Sequence, residues 1–145
     1  MTHKTRKAID QQQKAFAADG GFDWRSIKTF DDACRAKGTT EEEFNRKWKD
    51  ILPVDTFNYE KIKLIIGVIN AEWKPDWTNT SEYKWYPWFT ARPGGFGFSD
   101  SDYAYWYAGT HCGSRLCLQS EEKADYVGKQ FEDIYNEFLT IKEEQ

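Results

Sequence analysis

Between residues 73 and 107 the chain places 13 aromatic side chains, leaving 12 for the other 110 positions. Rings at that density suit a half-buried pleated surface better than a helix, and Pro87, Pro93-Gly94-Gly95 and Gly97 interrupt them with turn residues. The pattern predicts short antiparallel strands near 83–91, 96–99, 102–108 and 114–119, with a hairpin turn at 109–113. A small sheet is expected.

Helical signals flank this block on both sides. Thr29 followed by Asp32 opens a short helix over 29–37, with Phe30, Ala33 and Cys34 inward and Gly38 at the C-terminal cap. Thr40-Glu41-Glu42-Glu43 has the form of a capping box and starts a second helix over 40–52, which Pro53 stops. Asn58 is placed to cap a third helix over 59–73, whose wide apolar surface of Ile62, Ile65, Ile66 and Ile69 marks it as the central one. A strand over 63–69 is the competing reading, because β-branched runs suit both. Ser120 caps a last helix over 120–141, in which Ala124, Val127, Phe131, Ile134 and Phe138 recur three and four apart and Gly128 weakens the middle.

The expected fold is therefore α+β, a small antiparallel sheet within 83–119 packed against four or five helices, the last at the C-terminus. At 145 residues the chain has material for a single domain, with 1–21 as a loosely attached N-terminal helix ending at Gly20-Gly21. A charged fraction of 30% would suit disorder, but 7 Trp, 8 Tyr and 10 Phe do not. With 20 basic against 24 acidic side chains there is no overall positive field, so non-specific binding to duplex DNA is not expected. No apolar run approaches the ~20 residues of a membrane span, the basic start runs into Asp10-Gln11-Gln12-Gln13 rather than an apolar signal core, and three cysteines suit a reducing compartment. A cytoplasmic location follows as an expectation.

Three groups of residues resemble a known family: Glu82-Tyr83-Lys84-Trp85-Tyr86-Pro87-Trp88-Phe89, then Gly113-Ser114-Arg115-Leu116-Cys117, then Ser120-Glu121 through Ala124 to Phe131 with Tyr135, Phe138 and Leu139. Over roughly 28–139 the chain resembles uncharacterised proteins carried by phages and mobile elements of gut bacteria. The resemblance implies a genomic setting, with the host cytoplasm as the place of action, and it carries over no activity and no site.

Candidate chemistry competes at each motif with a plainer reading. His111, Cys112 and Cys117 offer at most three soft ligands at a spacing unlike a zinc knuckle, and a turn followed by an inward cysteine explains them as well, so no metal and no cofactor are expected. Adjacent strand residues point to opposite faces, which separates His111 from Cys112 as a base and nucleophile pair. Asp100 and Asp102 could act together, yet Asp and Ser also dominate ordinary turns. The helices at 29–37 and 40–52 superficially match a helix-turn-helix, but Glu41, Glu42 and Glu43 would face phosphates.

Alternation along the first strand places Trp85, Pro87 and Phe89 on one face and Lys84, Tyr86, Trp88 and Thr90 on the other, so one aromatic row is left over unless another segment covers it. Lys84, Tyr86, Trp88, Arg92 and Arg115 are the candidate binding residues, suited to a protein partner or to a nucleotide-like small ligand. The expected function is a non-enzymatic binding protein, a phage or mobile-element accessory factor. A virion component and a small enzyme with an unrecognised active site are the alternatives, and a homo-oligomer is left open as a partner.

Overall fold

The computed structural model describes residues 22–104 and 113–141. The expected first helix, the turn at 109–113 apart from its last residue, and the far end of the 102–108 strand lie outside them. Among the described residues the chain forms five α-helices and one antiparallel pair of strands, an α+β fold.

Helix α1, Phe30–Ala36, carries a reciprocal capping box: Thr29 Oγ1 accepts the Asp32 amide at 3.1 Å and Asp32 Oδ2 accepts the Thr29 amide at 3.0 Å. Helix α2, Glu41–Trp48, forms only half of its expected box. Thr40 Oγ1 accepts the Glu43 amide, while the Glu43 carboxylate accepts the Thr39 hydroxyl at 2.7 Å instead of returning to Thr40. Helix α3, Val54–Ile69, starts earlier and ends earlier than its sequence suggests. Pro53, expected to end the helix over 40–52, which stops at Trp48, instead opens the next, its carbonyl accepting the Phe57 amide at 2.8 Å. Asn58, the expected cap, is buried inside the helix and donates to the Val54 carbonyl. The strand alternative for 63–69 is excluded, since that stretch is helical to Ile69.

Strands β1, Lys84–Arg92, and β2, Gly95–Ala104, form a hairpin closed by Pro93-Gly94. Gly94 at φ +87° and Gly95 at φ +146° supply the turn conformations that other residues adopt at a cost. The register slips between Trp88 and Phe89, leaving Ser99 without a partner residue. That bulge lets the segments expected as two strands run on as one. The expected strand at 114–119 is instead a 3-10 turn, Ser114–Leu116, followed by a single bridge in which Leu118 and Trp85 exchange amide hydrogen bonds at 2.8 and 3.0 Å.

The last helix is two helices rather than one: α4, Glu121–Gln130, and α5, Glu132–Leu139, meet at Phe131, whose backbone leaves the helical region. The change of direction lets α4 lie on the hairpin while α5 lies on α3 and on β2. From α5, Asn136 Oδ1 accepts the Phe96 amide and Glu132 Oε2 accepts the Phe98 amide, so the outer edge of β2 is satisfied by side chains. Two residues beyond the Leu118 bridge, β1 carries Pro87, which offers no amide to a further strand. Ile62, Ile65 and Ile69 of α3 meet Leu118, Val127 and Phe131 in the core. The described segment before α1 is tied on by Tyr126, whose hydroxyl donates to the Ile27 carbonyl at 2.7 Å. No described helix is long and apolar enough to cross a membrane.

Candidate functional site

The five side chains expected to bind do not form one surface. Lys84 is 3% exposed, and its ammonium donates to the carbonyls of Asp76 at 2.8 Å and Asn79 at 3.1 Å with Glu82 Oε1 at 3.2 Å. Tyr86 is half-buried with its hydroxyl against Cys117, and burial raises its pKa. Trp88 is 59% exposed. Arg92 is exposed but folds back across Gly97 to donate to the Phe98 carbonyl at 3.1 Å. Trp85 and Phe89, on the opposite face of β1, pack against the core, Phe89 stacking on Tyr135 with ring centroids 4.7 Å apart. Alternation thus sorts the inward row correctly, while the outward row grades from a buried lysine to an exposed tryptophan.

Arg115 belongs to a different place, an open groove of about 600 Å³ along one side of α3. Gly67, Asn70 and Ala71 form its floor at the C-terminal end of that helix, and Trp73 and Trp77 supply its rings. Four cations line it: Lys37 after α1, Lys63 on α3, Lys74 beyond it, and Arg115 on the 3-10 turn. Lys63 pairs with Glu60 at 2.8 Å, whereas no carboxylate among the described residues pairs with Lys37, Lys74 or Arg115. Lys37 passes over Gly67, its Cε and Nζ lying 3.9 Å from where a Cβ would stand.

Asn70 holds the groove's two walls together. Its Nδ2 donates to the Cys117 carbonyl at 2.9 Å and its Oδ1 accepts the Gln119 amide at 3.1 Å, fixing the segment after Arg115 against the end of α3. Ala71 follows with φ +52°, the left-handed conformation in which glycine is usual. Ala71→Gly is expected to raise stability by about 1 kcal/mol, or roughly 3 °C in melting temperature, because that strain is relieved. An unchanged or lower melting temperature would show that the alanine methyl earns its place by packing.

The 76–82 turn that carries Trp77 is closed by its own side chains. Asp76 Oδ1 accepts both the hydroxyl and the amide of Thr78, at 2.6 and 2.9 Å, and Glu82 Oε1 accepts the Asp76 amide at 2.8 Å. The Thr78 hydrogen bonds hold the Asp76 carboxyl below its usual range, so this turn is firm while Asp76 is ionised and loosens as the pH falls through that depressed value.

The rival chemistries fare differently. Burial pushes the thiols of Cys34 and Cys117 up to about 11, which leaves both protonated and unreactive at neutral pH. His111 and Cys112 lie outside the described residues. Asp100 and Asp102 are exposed, and each accepts the amide of the residue after it, as turn and strand-edge aspartates do. Glu41, Glu42 and Glu43 occupy the first turn of α2.

The groove is a tertiary construction that the sequence reading missed apart from Arg115. One signal was present: Lys63, Gly67 and Asn70 recur four and three apart, a stripe of small and polar residues beside the isoleucines of α3. Comparisons with protein-family models, with curated proteins and with solved structures give no match.

Proposed function

We propose that this chain is a non-enzymatic binding protein whose groove beside α3 holds an anionic ligand. One observation carries the reading: a chain of formal net charge -4 gathers four cations around a single groove, three of them without a carboxylate partner among the described residues. Like charges placed together repel, and the C-terminal end of α3 adds the negative end of a helix dipole. That dipole accounts for part of the arrangement, since α3 has no basic residue in its own last turn. A dipole effect is worth about 0.3–1 kcal/mol and would be served by one cation. Four facing an open space suit an occupant that brings negative charge. The resemblance to proteins of phages and mobile elements supplies the setting, an accessory factor acting in the host cytoplasm.

A second reading, a protein partner, rests on the hairpin, where Trp88, Tyr83 and Tyr103 are 59%, 46% and 40% exposed. Tryptophan and tyrosine are frequent anchors of protein interfaces.

Native mass spectrometry of protein purified from its host separates the two. The parent should carry a small anionic ligand, and Lys74→Glu/Arg115→Glu should be bare while melting within a few degrees of the parent. A parent that carries a second polypeptide, lost on Trp88→Ala and retained in the double variant, would reject the groove in favour of the hairpin.

A further inference from the structure

We infer that the groove selects a phosphorylated flat ring, of which a nucleotide is the simplest form, with the ring stacked on the groove face of Trp77 and the phosphate among Lys74, Arg115 and Lys37. This rests on the reading of the groove as an anion site and names what the anion is attached to.

The inference starts from Lys84. Its ammonium lies 5.2 Å from the centroid of the Trp77 ring, while the three oxygens of Asp76, Asn79 and Glu82 hold it in place. With a side chain 3% exposed, this cation belongs to the interior and reaches no ligand directly. Its role is to brace the tryptophan. The 76–82 turn, closed by the Asp76 and Glu82 hydrogen bonds, fixes the backbone on either side of the ring. Trp77 thus carries a buried cation over its ring and is itself one of the residues that line the groove.

A ring so braced discriminates by charge. The negative quadrupole of an indole face attracts one cation well, but a second cation on the opposite face would feel the first across the ring. The four groove cations add to that repulsion. Ammonium ligands are thus disfavoured, and an uncharged flat ring is the natural counterpart, since stacking draws on dispersion and apolar contact that the Lys84 charge leaves intact. Beside this platform, Arg115 offers a planar fork matched to phosphate oxygens, and Lys74 and Lys37 add point charges. A carboxylate would leave most of these donors unused; a phosphate with its larger charge engages them.

The ring and phosphate could belong to a free nucleotide or to a nucleotide unit of a single strand, and the chemistry is shared. Isothermal titration of the intact protein with the four common ribonucleoside triphosphates, with tripolyphosphate and with a short oligothymidylate tests it. At least one nucleoside triphosphate should bind about 5- to 150-fold tighter than tripolyphosphate, the range that stacking of one base supplies. Trp77→Ala should remove that gain and leave tripolyphosphate binding as in the parent. Lys84→Met should remove part of it, and Lys84→Arg, which keeps a cation over the ring, should restore part. Tighter binding of the oligothymidylate than of every nucleotide, with the same dependence on Trp77, identifies a strand as the source; weaker binding identifies a free nucleotide. Tripolyphosphate binding as tightly as all four nucleotides and the oligothymidylate would overturn the inference while leaving the groove an anion site, as would a ring-dependent gain that survives Trp77→Ala. Binding of neither nucleotide, oligothymidylate nor tripolyphosphate would reject the anion site itself.

Discussion

Removing residues 120–145 should abolish cooperative unfolding of the remaining chain. Val127, Phe131 and Tyr135 are 0%, 3% and 5% exposed and pack into the same cluster as Ile62, Ile65 and Leu118. At about 1.5–3 kcal/mol for each buried side chain of this size, the three represent about 5–9 kcal/mol, comparable with the whole stability of an ordinary domain at about 5–15 kcal/mol. Polar losses act in the same direction. Deletion takes away Glu132 and Asn136 from the Phe98 and Phe96 amides, and it takes away the Tyr126 hydroxyl from the carbonyl of Ile27. The exposed edge of β2 would then be open to pairing with another chain. A calorimetric transition of the truncated protein that matches the parent in midpoint and enthalpy would show that α4 and α5 are an appendage.

The parts of this fold that were legible in the sequence are those decided by neighbours in the chain. Thr29 with Asp32, Thr40 with Glu43 and Ser120 with Lys123 each satisfy an amide within three residues, and all three helix starts were placed within one residue of where they occur. The Pro93-Gly94-Gly95 hairpin turn was legible for the same reason. Asn58 misled because a helix can begin at a proline without any side-chain cap, and the asparagine's short side chain works equally well one turn inside, bonded back to Val54.

The break at Phe131 was hidden by its own hydrophobicity. The residue keeps the three-and-four spacing on both sides, so the period runs on unbroken through a point where the backbone does not. Only the need of α4 to lie on the hairpin and of α5 to lie on α3 divides them, and that need is tertiary. The candidate site shows the same limit more severely. Lys37, Lys74 and Arg115 come from three separate segments around α3, and nothing in local spacing says that they share a groove. Lys84 was visible as a cation on an aromatic strand, but its burial depends on the carbonyls of Asp76 and Asn79 turning to meet it.

Glycine 128 carries the second large expectation, and its sign is opposite to what helix propensity suggests. Alanine in a helix interior is favoured over glycine by about 1 kcal/mol, so Gly128→Ala would be stabilising if α4 were a surface helix. In the folded protein α4 lies against the hairpin at this point. A Cβ at 128 would fall on the Phe98 ring carbons Cδ2 and Cε2 and within 2.8 Å of Pro87 Cβ. Neither neighbour can withdraw freely, because the Phe98 amide is bonded to Glu132 and Pro87 sits in the middle of β1. Overpacking of this kind typically costs about 1–3 kcal/mol and sometimes more, and here it must exceed the propensity gain. We expect Gly128→Ala to lower stability by about 1–2 kcal/mol after that offset, and Gly128→Val by more. Gly67, inside α3, provides the control: a Cβ there meets only Lys37 side-chain atoms at 3.9 Å, so Gly67→Ala should raise stability by up to about 1 kcal/mol. Denaturant titration of both variants decides the matter, since the same substitution in two helices should move the midpoint in opposite directions. If Gly128→Ala instead unfolds at a higher denaturant concentration than the parent, the hairpin does not pack on α4 through this contact, and the position of β1 and β2 against the helices would have to be redrawn.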